Sequence, residues 1–275
     1  MSDETAHLKS EIRRLRKMLS RCTPSLETML KLRGFSVYKK EPAGDLLVPA
    51  EEYAADFFDN LKKYSFRLFL RDVIRHQDSF TLDDVTRFAT RDVSTVYLDF
   101  LLQAGLAEQW DQGFRLRKRP VKSFGETLEW LVARLIRDEF QAETAWGVKF
   151  RKPAGGDYDL LARIDGLLLY MEVKSSPPKQ IYNRGISFFL QRAEDLSPDI
   201  AVFFVDTELR MKDKIVPLFE EELLRRYGKP HPARRIVKEL FHINGKIFII
   251  NAKGGIAANI ERIMAFLWHK GPFIE

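Results

Sequence analysis

The side chains of this chain best suited to chemistry are an acidic residue and a lysine two positions apart, in the triplet Glu172-Val173-Lys174. Successive side chains of a β-strand alternate between its two faces, so Glu172 and Lys174 point the same way. A second acid, Asp159, lies in the preceding apolar stretch. Two carboxylates beside an amine can hold a divalent cation and direct a water molecule.

A predicted hairpin turn brings these residues together. The segment Ile164-Asp165-Gly166-Leu167 contains Asp-Gly, which is the strongest short hairpin signal. Two antiparallel strands joined at this turn would place Asp159 and Glu172 side by side. Adjacent carboxylates repel each other, so they need a cation nearby.

The elements predicted around this hairpin alternate between helix and strand, which indicates an α/β fold with a mixed sheet. The run 200–205 is apolar throughout and is typical of a strand buried on both faces. The predicted elements are a helix over 125–140 capped by Ser123, strands over 144–151, 158–164 and 167–175, a helix over 183–196, a strand over 200–205, a helix over 212–227, a hairpin within 235–251 and a closing helix over 255–268.

These residues in this order closely resemble the PD-(D/E)XK nuclease superfamily, in particular its resolvase-like and Mrr-like branches. In those branches a helix begins Gly-x-x-x-Glu, which Gly125 and Glu129 match. A strand then carries an aspartate followed by apolar residues, as Asp159 does, and the next strand ends Glu-x-Lys, as Glu172 and Lys174 do. The resemblance implies a restriction-endonuclease-like αβββαβ core.

The resemblance implies a metal-dependent endonuclease that hydrolyses phosphodiester bonds, with DNA as the expected substrate. Asp159, Glu172 and the main-chain carbonyl of Val173 would be oxygen ligands, which suit Mg²⁺ or Mn²⁺. Lys174 would orient or deprotonate the attacking water. Glu129 would hold a metal-bound water or a second ion.

The similarity extends over about 123–227 and includes one departure from the family pattern. The proline that often precedes the first acid is absent, and Asp157-Tyr158 stands there instead, which leaves the subfamily open. In the helix after the lysine strand, relatives often carry a polar or basic residue that faces the site. Gln191 is the residue expected at that place.

Each candidate also has a plainer interpretation. Glu129 flanks an apolar stripe and could be solvated, Glu126 lies one turn earlier, and Asp157 could cap a turn. Glu172 and Lys174 could form a surface ion pair at a strand end. The alternative function is therefore a catalytically silent nuclease-fold protein that binds nucleic acid or assembles a complex.

The region before the nuclease-like part is mainly helical, and we predict three segments: 1–50, 51–122 and 123–275. Helices over 65–76, from Thr81 and over 92–104, followed by a hairpin of strands 106–110 and 113–117, resemble a winged-helix module. Its third helix carries Asp92 and Asp99, which disfavours groove recognition and a role as a transcriptional regulator. Protein contacts or phosphate contacts remain open. The basic residues expected to contact nucleic acid are Arg115, Arg117, Lys118, Arg119, Lys149 and Arg151.

Apolar residues at Leu8, Ile12, Leu15 and Leu19 predict an amphipathic N-terminal helix of about two heptads. It could form a dimeric coiled coil, serve as a basic arm on nucleic acid, or dock on its own chain. Because many related nucleases pair two active sites, we expect a homodimer.

The composition limits the possible functions. The 275 residues are 45% hydrophobic, with 45 Lys and Arg against 39 Asp and Glu and a net charge of +6. One cysteine and five scattered histidines disfavour zinc. We found no run long and apolar enough to span a bilayer, so we expect a cytoplasmic protein without a membrane partner. The sequence does not distinguish DNA from RNA, nor a duplex from a junction or a single strand.

Overall fold

The computed structural model describes residues 23–151 and 157–269, together with residues 7, 8, 10, 11, 14, 15, 17 and 18. The chain divides into a sheet unit, Met1–Glu41 with Val132–Glu275, and a helical unit, Pro42–Leu131. This division lies within ten residues of the boundaries expected at 50 and 122, and it assigns the N-terminal segment to the sheet unit.

Helices occur in both units, and those of the described residues are numbered in chain order. They are α1 Leu26–Leu32, α2 Glu51–Lys62, α3 Tyr64–Arg75, α4 Arg91–Gln103, α5 Gly125–Phe140, α6 Asn183–Leu196, α7 Ile215–Tyr227 and α8 Ile256–His269. The strands are β1 Val37–Lys39, β2 Ala107–Trp110, β3 Gly113–Leu116, β4 Glu143–Phe150, β5 Tyr158–Ile164, β6 Leu167–Lys174, β7 Ile200–Val205, β8 Arg234–Val237, β9 Leu240–Ile243 and β10 Ile247–Asn251.

The sheet unit is built on an eight-stranded mixed sheet in the order β1-β4-β5-β6-β7-β10-β9-β8. Strands β4, β5 and β6 pair antiparallel, whereas β7 is parallel to both β6 and β10. From α5 to β7 the element order is helix, three strands, helix and strand, as expected from the sequence. The α/β class is therefore confirmed. The hairpin β9–β10 extends the sheet rather than standing apart from it.

Local signals explain the elements that carry the candidate site. Ser123 accepts a hydrogen bond from the Gly125 amide at 3.2 Å, where α5 begins. Asp165 and Gly166 both have positive φ, 48° and 82°, as a two-residue type I′ turn requires, and Ile164 pairs with Leu167 across it. Every residue of β7 is buried, and Phe203 packs against Phe189 of α6 and Phe219 of α7.

The helical unit contains α2, α3 and α4 followed by the β2–β3 hairpin, in which Trp110 pairs with Gly113. The second predicted helix, from Thr81, is only a 3₁₀ turn over Asp83–Val85. The Asp84 carboxylate accepts from both the amide and the hydroxyl of Thr81, so the capping signal was recognised correctly. It closes one turn and not a helix.

The N-terminal segment contributes to the sheet unit through α1 and β1. Leu26, Met29 and Leu30 of α1 belong to its hydrophobic core. After α1 the chain forms the single strand β1, which pairs antiparallel with β4 through Val37 and Phe150. A strand that joins an existing sheet edge needs no partner from its own segment.

The described part of residues 7–18 is helical, as the apolar spacing predicts. Leu8 and Leu15 are exposed. Ile12 and Leu19 lie outside the described residues, so the use of this stripe stays a prediction. Within the described ranges, no helix is both long and apolar enough to cross a membrane.

Candidate functional site

The structure brings Asp159, Glu172 and Lys174 together at the end of β6. The Lys174 Nζ lies 2.6 Å from Glu172 Oε1 and 3.9 Å from Asp159 Oδ2. Glu172 and Lys174 share one face of β6, as their spacing predicts. An ammonium group therefore sits between two carboxylates, and it marks a position on which their oxygens converge.

The regular antiparallel pairing of β5 with β6 ends just before Asp159. Their register runs from Ile164 and Leu167 to Leu160 and Met171. Beyond that point the Val173 amide donates to Asp159 Oδ2 at 2.8 Å. A side-chain carboxylate therefore takes the amide of the next strand, which fixes the orientation of Asp159 toward the end of β6.

Glu172 is buried and surrounded by donors. The residue is 2% exposed, too little for solvation to support a carboxylate, so protein groups must do so. Lys174 donates to one of its oxygens, and Arg192 Nη1 lies 3.1 Å from Oε1 and 2.9 Å from Oε2. The Tyr170 hydroxyl donates to Oε2. The interpretation of Glu172 and Lys174 as an exposed surface pair is excluded by this burial.

Arg192 occupies the place expected for Gln191. Gln191 is exposed and donates to Asp195, one turn further along α6, at 3.0 Å. Arg192 follows Phe189 by three positions and precedes Leu196 by four, so it lies on the buried face of the helix. This phase was readable from the sequence, and it would have selected the arginine.

An aromatic stack in the core fixes Tyr170. The rings of Tyr158, Tyr170, Phe189 and Phe203 follow one another at centroid distances of 5.1, 5.5 and 5.3 Å. Because the neighbours of Tyr170 hold its ring, its hydroxyl is held toward Glu172. The hydroxyl of Tyr158 is buried and has no hydrogen-bond partner within the described part of the chain.

Burial and like charge shift the titration of this cluster. Burial, followed by the negative charge of Glu172, raises the pKa of Asp159 to about 7. Burial lowers the pKa of Lys174, but Glu172 and Asp159 outweigh it, so the pKa lies above its ordinary value. Burial and Glu172 also raise the pKa of Tyr170, which therefore stays a donor. Lys174 is a cation in this arrangement.

The donor set fits a hard cation such as Mg²⁺ or Mn²⁺. Two carboxylates converge on the position of the Lys174 ammonium, and Mg²⁺ commonly takes one or two carboxylates and completes its shell with water and substrate oxygens. Among the described residues, no cluster of three or more His, Cys, Asp or Glu side chains is placed to hold a metal ion, so the protein side chains offered here are the two carboxylates alone. The Val173 carbonyl stays a predicted third ligand.

Two of the other predicted acidic residues, Glu126 and Asp157, have partners outside the cluster at the end of β6. Glu129 lies on α5, in the helical unit, and is partly buried, so its part in the site stays a prediction. Glu126 accepts from the Asp45 amide at 2.8 Å, which gives it a structural role. Asp157 forms an ion pair with Lys149 at 2.9 Å.

The predicted nucleic-acid contacts are largely engaged within the chain. Arg115 and Arg117 both pair with Glu108, at 2.8 and 3.4 Å, and Arg115 lies over the Trp110 ring at 3.2 Å. Lys118 donates to two main-chain carbonyls at 2.8 and 2.6 Å. Arg119 lies 3.8 Å from Asp78, while Arg151 is exposed beside β1.

Two solved structures resemble this fold. Protein VC1899 from Vibrio cholerae matches with a TM-score of 0.45 and 14% identity over 90% of this chain. Can2 from Sulfobacillus thermosulfidooxidans, in complex with cyclic tetra-adenylate, matches with a TM-score of 0.49 and 14% identity over 88%. The chain spans 61% and 60% of the two structures. No family model and no curated protein sequence matches. Similarity at this level assigns no activity.

Proposed function

We propose that this chain is a metal-dependent endonuclease that hydrolyses phosphodiester bonds, with DNA as the expected substrate. The observation that carries the proposal is the ammonium of Lys174 between the carboxylates of Asp159 and Glu172 at the end of β6. The resemblance of their spacing to the PD-(D/E)XK pattern supports the same reaction class.

The carboxylates would bind the metal and orient it. A bound Mg²⁺ or Mn²⁺ supplies Lewis acidity toward the phosphoryl oxygen and lowers the pKa of a coordinated water. Asp159 is held by the Val173 amide, so one of its oxygens has a fixed direction. Glu172 is fixed by Tyr170 from within the core. Ligands held in this way lose little entropy when an ion binds.

Lys174 would act as a cation. Its pKa lies above the ordinary value, because two carboxylates face it. We propose that it orients the attacking water and stabilises negative charge on the phosphoryl oxygens. A metal ion on the same two carboxylates would lower the pKa of Lys174, so proton removal stays open as a second role.

Plasmid nicking tests the proposal. Wild-type protein with MgCl₂ is expected to convert supercoiled plasmid to nicked and linear forms, and EDTA is expected to stop it. Glu172→Gln should reduce the rate at least about a hundredfold, since several kcal/mol of transition-state stabilisation depend on the metal. Gel densitometry over time gives the rates.

Glu261→Gln is the matched control, because Glu261 is an exposed glutamate on α8 and undergoes the same chemical change. It should cut at the wild-type rate. Equal rates for wild type and Glu172→Gln would refute the proposal. Circular dichroism of each variant separates lost chemistry from lost fold.

A non-catalytic function is the second candidate, and one observation favours it. Both oxygens of Glu172 are already engaged by protein donors, as in a purely structural ion-pair network. A silent nuclease-fold protein would bind oligonucleotides without cutting them, and Mg²⁺ would leave its affinity unchanged. Fluorescence anisotropy with and without Mg²⁺ distinguishes this outcome.

A further inference from the structure

The buried cluster at the end of β6 holds two cationic side chains without a metal ion. Lys174 and Arg192 face the carboxyl groups of Asp159 and Glu172. The guanidinium of Arg192 is partly buried, with 14% of its side chain exposed, so solvent screens it weakly. A divalent cation would bring two further positive charges into a poorly hydrated site that already holds these two cations.

Arg192 also occupies the atoms that an ion would use. Its Nη1 lies within 3.1 Å of both Glu172 oxygens, and the Tyr170 hydroxyl holds one of them from the core side. Ion and guanidinium thus compete for the same carboxylate. The guanidinium can move away on its flexible side chain, whereas the tyrosine is fixed by its ring neighbours.

We propose that Arg192 is a positioning residue that holds Glu172 in the empty site and moves to the scissile phosphate when metal and nucleic acid bind together. This inference rests on the proposed function. A phosphodiester supplies negative charge that offsets the charge of the ion, and its two non-bridging oxygens can accept two parallel hydrogen bonds from the planar guanidinium. Metal and nucleic acid therefore bind cooperatively, and the coupling passes through Arg192.

The coupling has a defined size and direction. Removing the positive charge beside Glu172 removes a repulsion that acts over a few ångströms, so the empty protein of Arg192→Gln binds Mn²⁺ at least about tenfold more tightly than wild type. In wild type, an oligonucleotide raises Mn²⁺ affinity at least about tenfold, and Mn²⁺ raises oligonucleotide affinity by the same factor. In Arg192→Gln this factor falls below about three.

The experiment measures binding without turnover. Free Mn²⁺ is followed by electron paramagnetic resonance during titration of the full chain, with and without a short phosphorothioate oligonucleotide that resists hydrolysis. Arg184→Gln is the matched control, because Arg184 is an exposed arginine on the same helix and loses the same charge. It should keep the wild-type affinity and the wild-type coupling.

Two results overturn the inference. One is equal Mn²⁺ affinity of the wild type with and without oligonucleotide; the other is equal behaviour of Arg192→Gln and Arg184→Gln. Arg192→Lys keeps the charge and should keep the weak affinity of the empty site, so it serves if Arg192→Gln does not fold. If the protein cuts plasmid but shows no coupling, only the inference about Arg192 is refuted. If it shows coupling but does not cut, the proposed nuclease activity is refuted and the role of Arg192 in binding stands.

Discussion

Glu172 depends on its three partners because it is almost completely buried. When a buried carboxylate loses a hydrogen-bond donor, its desolvation penalty is no longer offset. Removing one partner therefore destabilises the protein by more than the net contribution of that hydrogen bond. Tyr170 is the donor whose loss is simplest to measure, because its ring would stay in the aromatic stack. Tyr158 offers a comparison within the same stack.

Tyr170→Phe is expected to lower the free energy of unfolding by about 1.5–3 kcal/mol, the range for a hydrogen bond to a charged group. Urea denaturation at pH 7 measures it. Tyr158→Phe is the matched control: its hydroxyl has no partner within the described residues, so the variant should be as stable as wild type or slightly more stable. Equal losses in the two variants would contradict the assigned hydrogen bond.

At the scale of elements, the sequence predicted most helices and strands of the sheet unit. Helix α5, helix α6 and strand β7 begin and end where the patterns place them, because caps, apolar periodicity and the Asp-Gly turn are local signals. Strand β1 was missed because its partner β4 lies more than a hundred residues away along the chain. A pairing over that distance leaves no local pattern.

The site residues show the same limit. The proximity of Asp159, Glu172 and Lys174 could be predicted because spacing within two strands decides which way they point. Arg192 was missed because the resemblance indicates a polar or basic residue of α6 without fixing the helical phase, and Gln191 is one position away. The buried stripe of α6 fixes that phase. The Glu108–Arg115 ion pair follows from the register of the predicted β2–β3 hairpin, in which the two residues lie directly opposite each other.

An ion-pair cluster joins α6 to α7 and gives a pH prediction at this scale. Arg225 and Arg226 donate to Glu222 at 2.7 and 2.8 Å, and Arg226 also donates to Glu194 of α6. Hydrogen bonds from Arg225 and then from Arg226 lower the pKa of Glu222 to about 2. The folded state therefore binds a proton less readily than the unfolded state, whose glutamates titrate near 4.3.

Because the folded pKa is the lower one, the stabilisation is complete above about pH 5 and is lost as the pH falls from about 4.3 toward 2. Glu222→Gln should be about 1–2 kcal/mol less stable than wild type at pH 7, a value reduced for the solvent screening of the exposed Arg225. The difference should shrink below pH 4 in urea titrations. Glu221→Gln, at an exposed position, should show no difference; a gap independent of pH would contradict the assignment.

For the whole molecule, the net charge of +6 overstates the cationic surface available to a nucleic acid. Arg115 and Arg117 share one carboxylate, and Lys118 is held by main-chain carbonyls. A phosphate contact made by such a residue must first break an internal one. We therefore expect a shallow slope of log affinity for nucleic acid against log salt concentration, because few phosphate contacts are made.

The double variant R115Q/R117Q should reduce the slope of log affinity against log salt by no more than about one, where two independent duplex contacts would reduce it by about 1.8. Anisotropy of a labelled duplex over a range of KCl concentrations measures the slope. Glu108→Gln releases both arginines and should steepen the slope if the hairpin faces nucleic acid. A reduction of about 1.8 in the double variant would show that both residues contact phosphate despite Glu108.

The amide that Val173 donates to Asp159 gives the protein a built-in reporter. If the carboxylate turned to another partner, this N–H would lose its acceptor, and its proton resonance and exchange rate with deuterated solvent would change. A ¹⁵N-labelled sample would then register occupancy of the pocket at a single backbone position, with no added label and no catalytic turnover.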